Sequence, residues 1–493
     1  MRYSVAMTGA VEAAMLNHLI RDDGQEDVLI ATYVLSTGLE RTTALLRSVI
    51  FPRDSERLLH GNASFTSAYV LRAASEARAA GEGLVLLHSH PGGEGWQMLS
   101  AMDGDTESEY ERVARATTKM PLVGMTLGTH DTAWSARFWF ERSEPTWAES
   151  VRSVAPTMSV TWNDELRAVP CVTASQERTV SAWGERAQGS ISRLRVLVVG
   201  GGSVGLDVAQ RLAATGLITV GVMDFDAVEV RNLDRLIGAT RLDAVLERSK
   251  VDVAARLMNS SATATNIEIC RHEVSIADPE GVSIALDYDV IFSCVDSPWP
   301  RAVLNGIAYA DLIPVIDGGI ALDTFDDGRM RNGIWRAHTL VPGRPCMACI
   351  GQLVSGDVSL DKLGLLNDPE YIRGANREEP ARQNVAALSA SVSSALLAQF
   401  VSLTAHPGRR GVPGALRYIL STHVLEHSAA VSGMHCPYEN ATVAGDRRTP
   451  IAERRDDWRA VVTARAAKKH PLHLRVIAKL EDCVRRLINR VPT

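Results

Sequence analysis

Two histidines two residues apart, His88 and His90, close the apolar run of VLLHSHPGGEGWQMLSAMDGD, and Ser100 and Asp103 follow. In an extended strand, residues two apart project to one face, so both imidazoles can reach the same ion. Asp103 follows Ser100 at the spacing of a first helical turn, which aims its carboxylate at that point. Two His and one Asp around Zn2+ leave a fourth position for water, the open geometry of a catalytic site. Such a site brings the pKa of the water to ~7 and polarises a carbonyl, the requirements of amide hydrolysis. The general base must come from outside the ligand set. A lone His-x-His is a weak signal; His-Ser-His-Pro followed by Ser-x-x-Asp is far narrower.

A second group begins in RVLVVGGGSVGLDVAQRLA, which reads as strand, glycine turn and helix start. Gly200, Gly202 and Gly205 form GxGxxG, a turn that lets backbone approach a pyrophosphate at a helix N-terminus. The next strand ends at Asp224, where an acidic residue meets a ribose. These features do not separate a nicotinamide oxidoreductase from an ATP-using enzyme. Asn232 and Arg235 in DFDAVEVRNLDR, Lys250 in RSKVD and Asp296 in IFSCVDSPWPR do. Two cations, an amide and two carboxylates around one nucleotide suit a triphosphate with Mg2+. The cations neutralise charge developing on the phosphates, and Asp296 can hold the metal.

The first group resembles the JAMM motif of the JAB/MPN metalloproteases, which remove ubiquitin or cleave ubiquitin-like and sulfur-carrier proteins. The resemblance implies that His88, His90 and Asp103 bind a catalytic Zn2+ and that Ser100 supports the oxyanion. It also implies a Glu on an early strand as the base; Glu26 in GQEDVLIATY matches by position, and Glu40 less well. The loop from His90 to Ser100 is longer than in the common eukaryotic pattern and carries Gly92, Gly93, Gly95 and Trp96. The second group resembles the E1-like activating enzymes of the ThiF/MoeB type. There a DxD pair, an NLxR segment, a following Lys and a strand-end Asp with a later Arg form the adenylation site. The matches are Asp224 and Asp226, Asn232 and Arg235, Lys250, and Asp296 with Arg301. A further Arg in that family lies upstream of the glycine turn and reaches across a dimer; here it is Arg178. The variable residue of NLxR, usually Gln in the sulfur-carrier branch, is Asp234.

Seven cysteines in 493 residues are too sparse for a disulfide scaffold, and their odd count favours a reducing compartment. Cys346 and Cys349 form CxxC where E1-like enzymes carry half of a structural zinc site. The other half retains Cys436 alone, with His435 adjacent and Glu439 in place of the fourth thiolate, so a second zinc would be Cys3His or Cys3Glu. No cysteine lies between Ile350 and His435, where a thioester nucleophile belongs, and Cys171, Cys270, Cys294 and Cys483 have no readable claim to that role.

The elements that must position these residues divide the chain. Residues 1–145 alternate strand-like runs with helical stretches and read as a JAB/MPN-like α/β unit. Residues 146–188 read as an irregular polar connector, with a helix from about 175 contributing to the unit after it. Residues 189–445 alternate as β and α, a Rossmann-like E1/ThiF unit, with an irregular stretch from Gly351 to Glu379. Residues 446–493 form a basic helical tail, read as a solvated face or a docking surface for an acidic partner. The charge-free run from Asn384 to Ala405 approaches the length of a membrane span but carries serines and Gln399, which favours a buried helix. A net charge of −6, 46% hydrophobic and 22% charged residues exclude disorder for most of the chain and give no reason to expect nucleic acid or a membrane. The expected location is cytoplasmic.

Together these readings describe a bifunctional enzyme in a bacterial ubiquitin-like system. It would trim or deconjugate a ubiquitin-like protein at zinc and adenylate its C-terminal glycine with ATP and Mg2+, as a homodimer with an E2-like or sulfurtransferase partner. The alternative is activation and processing of a sulfur-carrier protein for cofactor or metabolite biosynthesis. A scaffold with dead sites and a nicotinamide oxidoreductase are the readings from other classes.

Overall fold

β-Branched and apolar runs in the first third of the chain assemble a nine-stranded mixed sheet. The computed structural model describes residues 1–60, 62–141, 144–374 and 383–488. The first strands are β1 (Arg2–Thr8), β2 (Val28–Thr37) and β3 (Arg41–Ile50), followed by a separate hairpin of β4 (Arg57–His60) and β5 (Asn62–Phe65). Then come β6 (Gly83–His90), β7 (Leu122–Gly128), β8 (Ala133–Trp139), β9 (Thr146–Trp147), β10 (Ser150–Val154) and β11 (Met158–Trp162). Helices α1 (Gly9–Leu19), α2 (Ser67–Ala80) and α3 (Ala101–Thr118) complete this unit. The spatial order is β11-β10-β1-β3-β2-β6-β7-β8-β9. Strand β6 is interior, antiparallel to β2 and parallel to β7, so the histidine pair stands on a strand held along both edges.

The stretch 146–188 is not the irregular connector its composition suggests. It supplies β9 to β11, and β10 pairs in parallel with β1 from Ser4↔Ser150 to Thr8↔Val154. The residues that hide this strand, Ser150 and Arg152 in SVRSV, are fully buried. Arg152 meets a polar partner in the second unit, so the strand lacks the apolar alternation that marks a half-buried one.

Helices α4 (Glu177–Trp183) and α5 (Glu185–Ser192) lead into the second sheet. Its parallel part runs β12 (Arg195–Val199), α6 (Ser203–Thr215), β13 (Thr219–Met223), α7 (Arg241–Val245), α8 (Lys250–Ser261), β14 (Glu268–His272), α9 (Pro279–Ala285), β15 (Val290–Ser293), α10 (Pro298–Ala310) and β16 (Val315–Thr324). Strand β17 (Met330–Leu340) turns back, α11 (Ser355–Lys362), α12 (Pro369–Gly374) and α13 (Ala386–Thr404) follow, and β18 (Leu416–Ile419) and β19 (Val424–His427) finish the sheet. The order β14-β13-β12-β15-β16-β17-β18-β19 reverses at β12, the switch point at which doubly wound sheets bind ligands. The stretch from Gly351, expected to be irregular, contains α11 and α12; its end at residues 375–379 lies outside the described residues. The basic tail is helical as α14 (Asp457–Ala467) and α15 (Leu472–Ile488).

Among the described residues, α13 is the one helix long and apolar enough to cross a membrane. Here it buries Leu388, Val392, Leu396, Phe400 and Leu403, and Gln399 Nε2 donates to the Ala337 carbonyl of β17 at 3.1 Å.

One apolar cluster crosses both sheets, joining Val34, Leu45, Val154 and Trp162 to Val196, Val208 and Leu212. At its edge the fully buried Asp289 receives the guanidinium groups of Arg41 and Arg152 and the Arg195 amide at 2.9 Å. Arg195 also pairs with Glu149 at 2.5 Å. Burial opposes the charge of Asp289, but the three arginines hold its carboxyl well below the usual range. Nearby, Asp287 accepts from the Arg41 amide at 2.8 Å, and Ser36 donates to Asp311 at 2.8 Å. These charges lock the two sheets in one relative orientation.

Candidate functional site

At the end of β6, His88 Nε2 and His90 Nε2 lie 3.1 Å apart, and Asp103 Oδ2 lies 3.7 and 3.8 Å from them. Donors around a tetrahedral zinc bound at about 2.0–2.1 Å are about 3.3 Å apart, so this set fits the ion. Helix α3 aims Asp103 through a capping box: Asp103 N–H donates to Ser100 Oγ at 3.2 Å, and the Ser100 amide donates back to Oδ2 at 3.2 Å. The Ser100 hydroxyl also donates to Oδ2, at 2.6 Å, so in this state its proton faces Asp103. His90 Nδ1 lies 3.2 Å from Gln97 Oε1. With Nδ1–H donating there, the Nε2 lone pair points at the shared centre. Burial, then the nearby Arg137, push the His88 pKa down to about 3, which keeps it in the neutral form a metal requires.

Glu26 lies just ahead of β2. The β2–β6 register pairs Val28 with His88, and carried two residues further it sets Glu26 opposite His90. The Ser89 amide donates to the Asp27 carbonyl at 3.1 Å, so the chain still follows that register. Opposed residues of an antiparallel pair share a face, which puts Glu26 on the imidazole side. The His90 pKa is raised by Asp103 first, with Gln97 and Glu26 adding to it against burial. Glu40 is at the other end of β2, next to the Asp287 cluster.

The nucleotide elements meet at the end of β12. Gly200 has φ +99°, and a Cβ there would stand 2.5 Å from the Cys294 carbonyl. A Cβ on Gly205 would stand 1.8 Å from the Gly200 carbonyl, so neither of these two positions tolerates a side chain. A Cβ on Gly202 would meet nothing within 4 Å, which leaves open space before the uncapped N-terminus of α6. Asp224 Oδ2 accepts from the Gly201 amide at 2.7 Å and Oδ1 from the Asp226 amide at 2.7 Å, tying the turn to the acidic strand end. Burial raises the Asp224 pKa, with Lys250 opposing.

Lys250 Nζ lies 2.7 Å from Asp226 and 3.8 Å from Asp224. Burial works against its charge, but Asp224, Asp226 and Asp296 together raise its pKa, so the ammonium persists among three carboxylates. Asn232 Oδ1 accepts the Glu229 amide at 3.0 Å, which shapes the loop, and Arg235 Nη1 pairs at 2.8 Å with Asp234, the variable residue of the motif. Arg301 Nη2 donates to the Val295 carbonyl at 2.7 Å beside Asp296. Arg178 is not brought to the nucleotide elements within this chain. It is exposed on α4, next to Gln176, which abuts Gly216 at the opposite end of the strands.

Cys346, Cys349, Cys436 and Glu439 bring donor atoms within 4.8 Å of one another. Cys346 Sγ and Cys436 Sγ are 3.3 Å apart, and Glu439 Oε1 accepts the Cys346 amide at 2.9 Å. His435 is exposed outside the cluster, so of the two fourth ligands weighed from the sequence the geometry selects Glu439. Three thiols and a carboxylate converging without a disulfide fit a zinc ion.

Residues that sequence reasoning missed support these sites from behind. Gln97 orients His90, and Arg137 links Thr126 Oγ1 at 2.8 Å to the buried Glu107. Glu107 and Glu111 are buried acids on one face of α3, and that spacing was the available signal.

Residues 174–406 match the model of the ThiF family. This part of the chain is a ThiF-type, E1-like unit with an α/β Rossmann-like fold. Among curated proteins, the adenylyltransferase and sulfurtransferase MOCS3 of Caenorhabditis briggsae is 29% identical over 36% of this chain and 41% of its own length. The adenylyltransferase and sulfurtransferase uba4 of Ogataea parapolymorpha is 32% identical over 33% and 39%. The molybdopterin-synthase adenylyltransferase of Escherichia coli K12 is 29% identical over 34% and 62%. The chain thus spans about two-fifths of the length of the first two relatives. Among solved structures, E. coli MccB with ATP aligns at a TM-score of 0.42 and 16% identity, covering 54% of this chain and 74% of that one.

Proposed function

We propose that the second unit activates a small sulfur-carrier protein by adenylating its C-terminal glycine. The observation that carries this reading is the enclosed Lys250 among Asp224, Asp226 and Asp296, beside a glycine turn at the sheet's switch point. A glycine carboxylate oxygen attacks the α-phosphorus of ATP. The new bond joins acyl oxygen to phosphorus, the bond to the β-phosphate oxygen breaks, and pyrophosphate leaves with the electron pair. Lys250 offsets charge on the phosphates, Asp224 keeps the turn formed, and Asp296 would hold Mg2+, which supplies further charge neutralisation. The relatives' names pair adenylyltransferase with sulfurtransferase or molybdopterin synthase, which favours a sulfur carrier over a conjugated ubiquitin-like modifier. With no cysteine between Ile350 and His435, the adenylate passes to a sulfur donor on a partner rather than to a thiol of that segment. A dimer with Arg178 facing the partner's nucleotide belongs to the same proposal. Mass spectrometry of a glycine-ending carrier incubated with protein, ATP and Mg2+ tests it: a carrier heavier by one adenylate supports the reading, and an unmodified carrier across a panel defeats it.

A second activity is favoured by the His88, His90 and Asp103 geometry. We infer that the first unit is a JAMM-type peptidase that hydrolyses the bond following the carrier's terminal glycine, either in a precursor or in a conjugate. His88, His90 and Asp103 would hold Zn2+, which supplies an acidified water and a polarised carbonyl. Glu26 takes the water proton and returns it to the leaving amine, while Gln97 keeps His90 in the ligating tautomer. Cleavage of a C-terminally extended carrier that survives in Glu26→Gln or Asp103→Ala would refute this assignment.

A further inference from the structure

The segment carrying Asp226 and the segment carrying Lys250 are zipped together: the Lys250 amide donates to Asp226 O at 3.0 Å and the Val228 amide to Arg248 O at 2.9 Å. Both are gripped by the C-terminal helices, which lie beyond the residues matched to the ThiF family. From α14, Arg465 Nη1 donates at 2.8 Å to the carbonyl of Phe225, the residue between the two site aspartates. Its other Nη atom pairs with Glu273, just after β14. On the second segment, Lys468 pairs with Glu247, and Glu481 of α15 accepts from Arg248 at 3.1 Å, two residues before Lys250.

Exposed ion pairs are individually weak, so Lys468–Glu247 by itself would carry little. Arg465 is different. Its side chain is 13% exposed, and its target is a main-chain carbonyl in the turn that sets where Asp224 and Asp226 point. Asp226 in turn holds Lys250. A charged donor on that carbonyl fixes the peptide plane between the two carboxylates. The same tail is secured elsewhere: Arg455 lies 4.8 Å over the Trp299 ring, and the Trp458 indole donates to Asp278 at 3.2 Å.

We propose that Arg465 is a positioning residue for the nucleotide site, so that the C-terminal helices complete this site rather than merely decorating the surface. The inference rests on the adenylation reading. Isothermal titration of the full chain with ATP and Mg2+ tests it, alongside melting temperature without nucleotide. Arg465→Ala is expected to weaken ATP binding about tenfold, the scale of a lost charge-assisted hydrogen bond. Glu273→Gln, which removes the ion pair but leaves the Phe225 contact, should stay within about twofold of wild type. Arg465→Lys retains charge with a single donor group; it should fall between them, and it decides the matter if the alanine variant does not fold. Carrier affinity should not change. Arg465→Ala binding ATP as wild type does, or Glu273→Gln losing as much as Arg465→Ala, would overturn the inference alone. Wild-type protein that binds no ATP would defeat the adenylation reading and this inference with it.

Discussion

Lys250 shows how one side chain organises a site. Its ammonium sits between Asp226 at 2.7 Å and Asp224 at 3.8 Å, so it is aimed before any nucleotide arrives. Lys250→Ala should lower carrier adenylation by about a hundredfold or more, as removal of a preorganised charge does. Its melting temperature, measured in parallel by calorimetry, separates loss of the site from loss of the fold. His88, His90 and Asp103 make a separate prediction about metal content. Wild-type protein loaded with zinc and desalted should retain an ion at each of the two ligand clusters found among the described residues, by elemental analysis. Asp103→Ala should retain only the one at Cys346, Cys349, Cys436 and Glu439, and Glu439→Gln should weaken that second ion. The clustering of His88 and His90 with Asp103, and of Asp224 and Asp226 with Lys250, was legible because motif chemistry demands fixed spacing. Gln97 and Arg465 were not, because they reach His90 and the Phe225 carbonyl only through the fold.

At the level of elements, β6 and β12 end at the histidine cluster and the glycine turn and could be read from their apolar runs. Strand β10 could not. Its buried Arg152 and Ser150 break the pattern, and only Asp289, at the start of β15, accounts for the arginine. Removing one partner of such a buried cluster leaves an uncompensated charge, so Asp289→Asn should cost roughly 3–5 kcal/mol in denaturant unfolding. The carboxyl of Asp289 is depressed in the folded state. Its contribution is therefore full above its unfolded value, about 3.9, and declines as pH falls below that. Asp289→Asn should accordingly flatten the acid limb of the stability profile while lowering the plateau near neutrality.

For the whole molecule, the shared apolar core and the buried ions make the two sheets one body, with the histidine cluster and the glycine turn at fixed positions. Sequence composition divided the chain into units but could not show this union, because the charges that join them are single residues scattered from Arg41 to Asp289. Adenylation of a carrier's C-terminal glycine by the second unit is the claim on which the functional reading stands. Its sharpest test is carrier-dependent exchange of labelled pyrophosphate into ATP. Exchange is predicted with a glycine-ending sulfur carrier, none without the carrier, and almost none with Lys250→Ala. A folded, ATP-binding protein that gives no exchange with any such carrier, or gives it undiminished with Lys250→Ala, would contradict that claim.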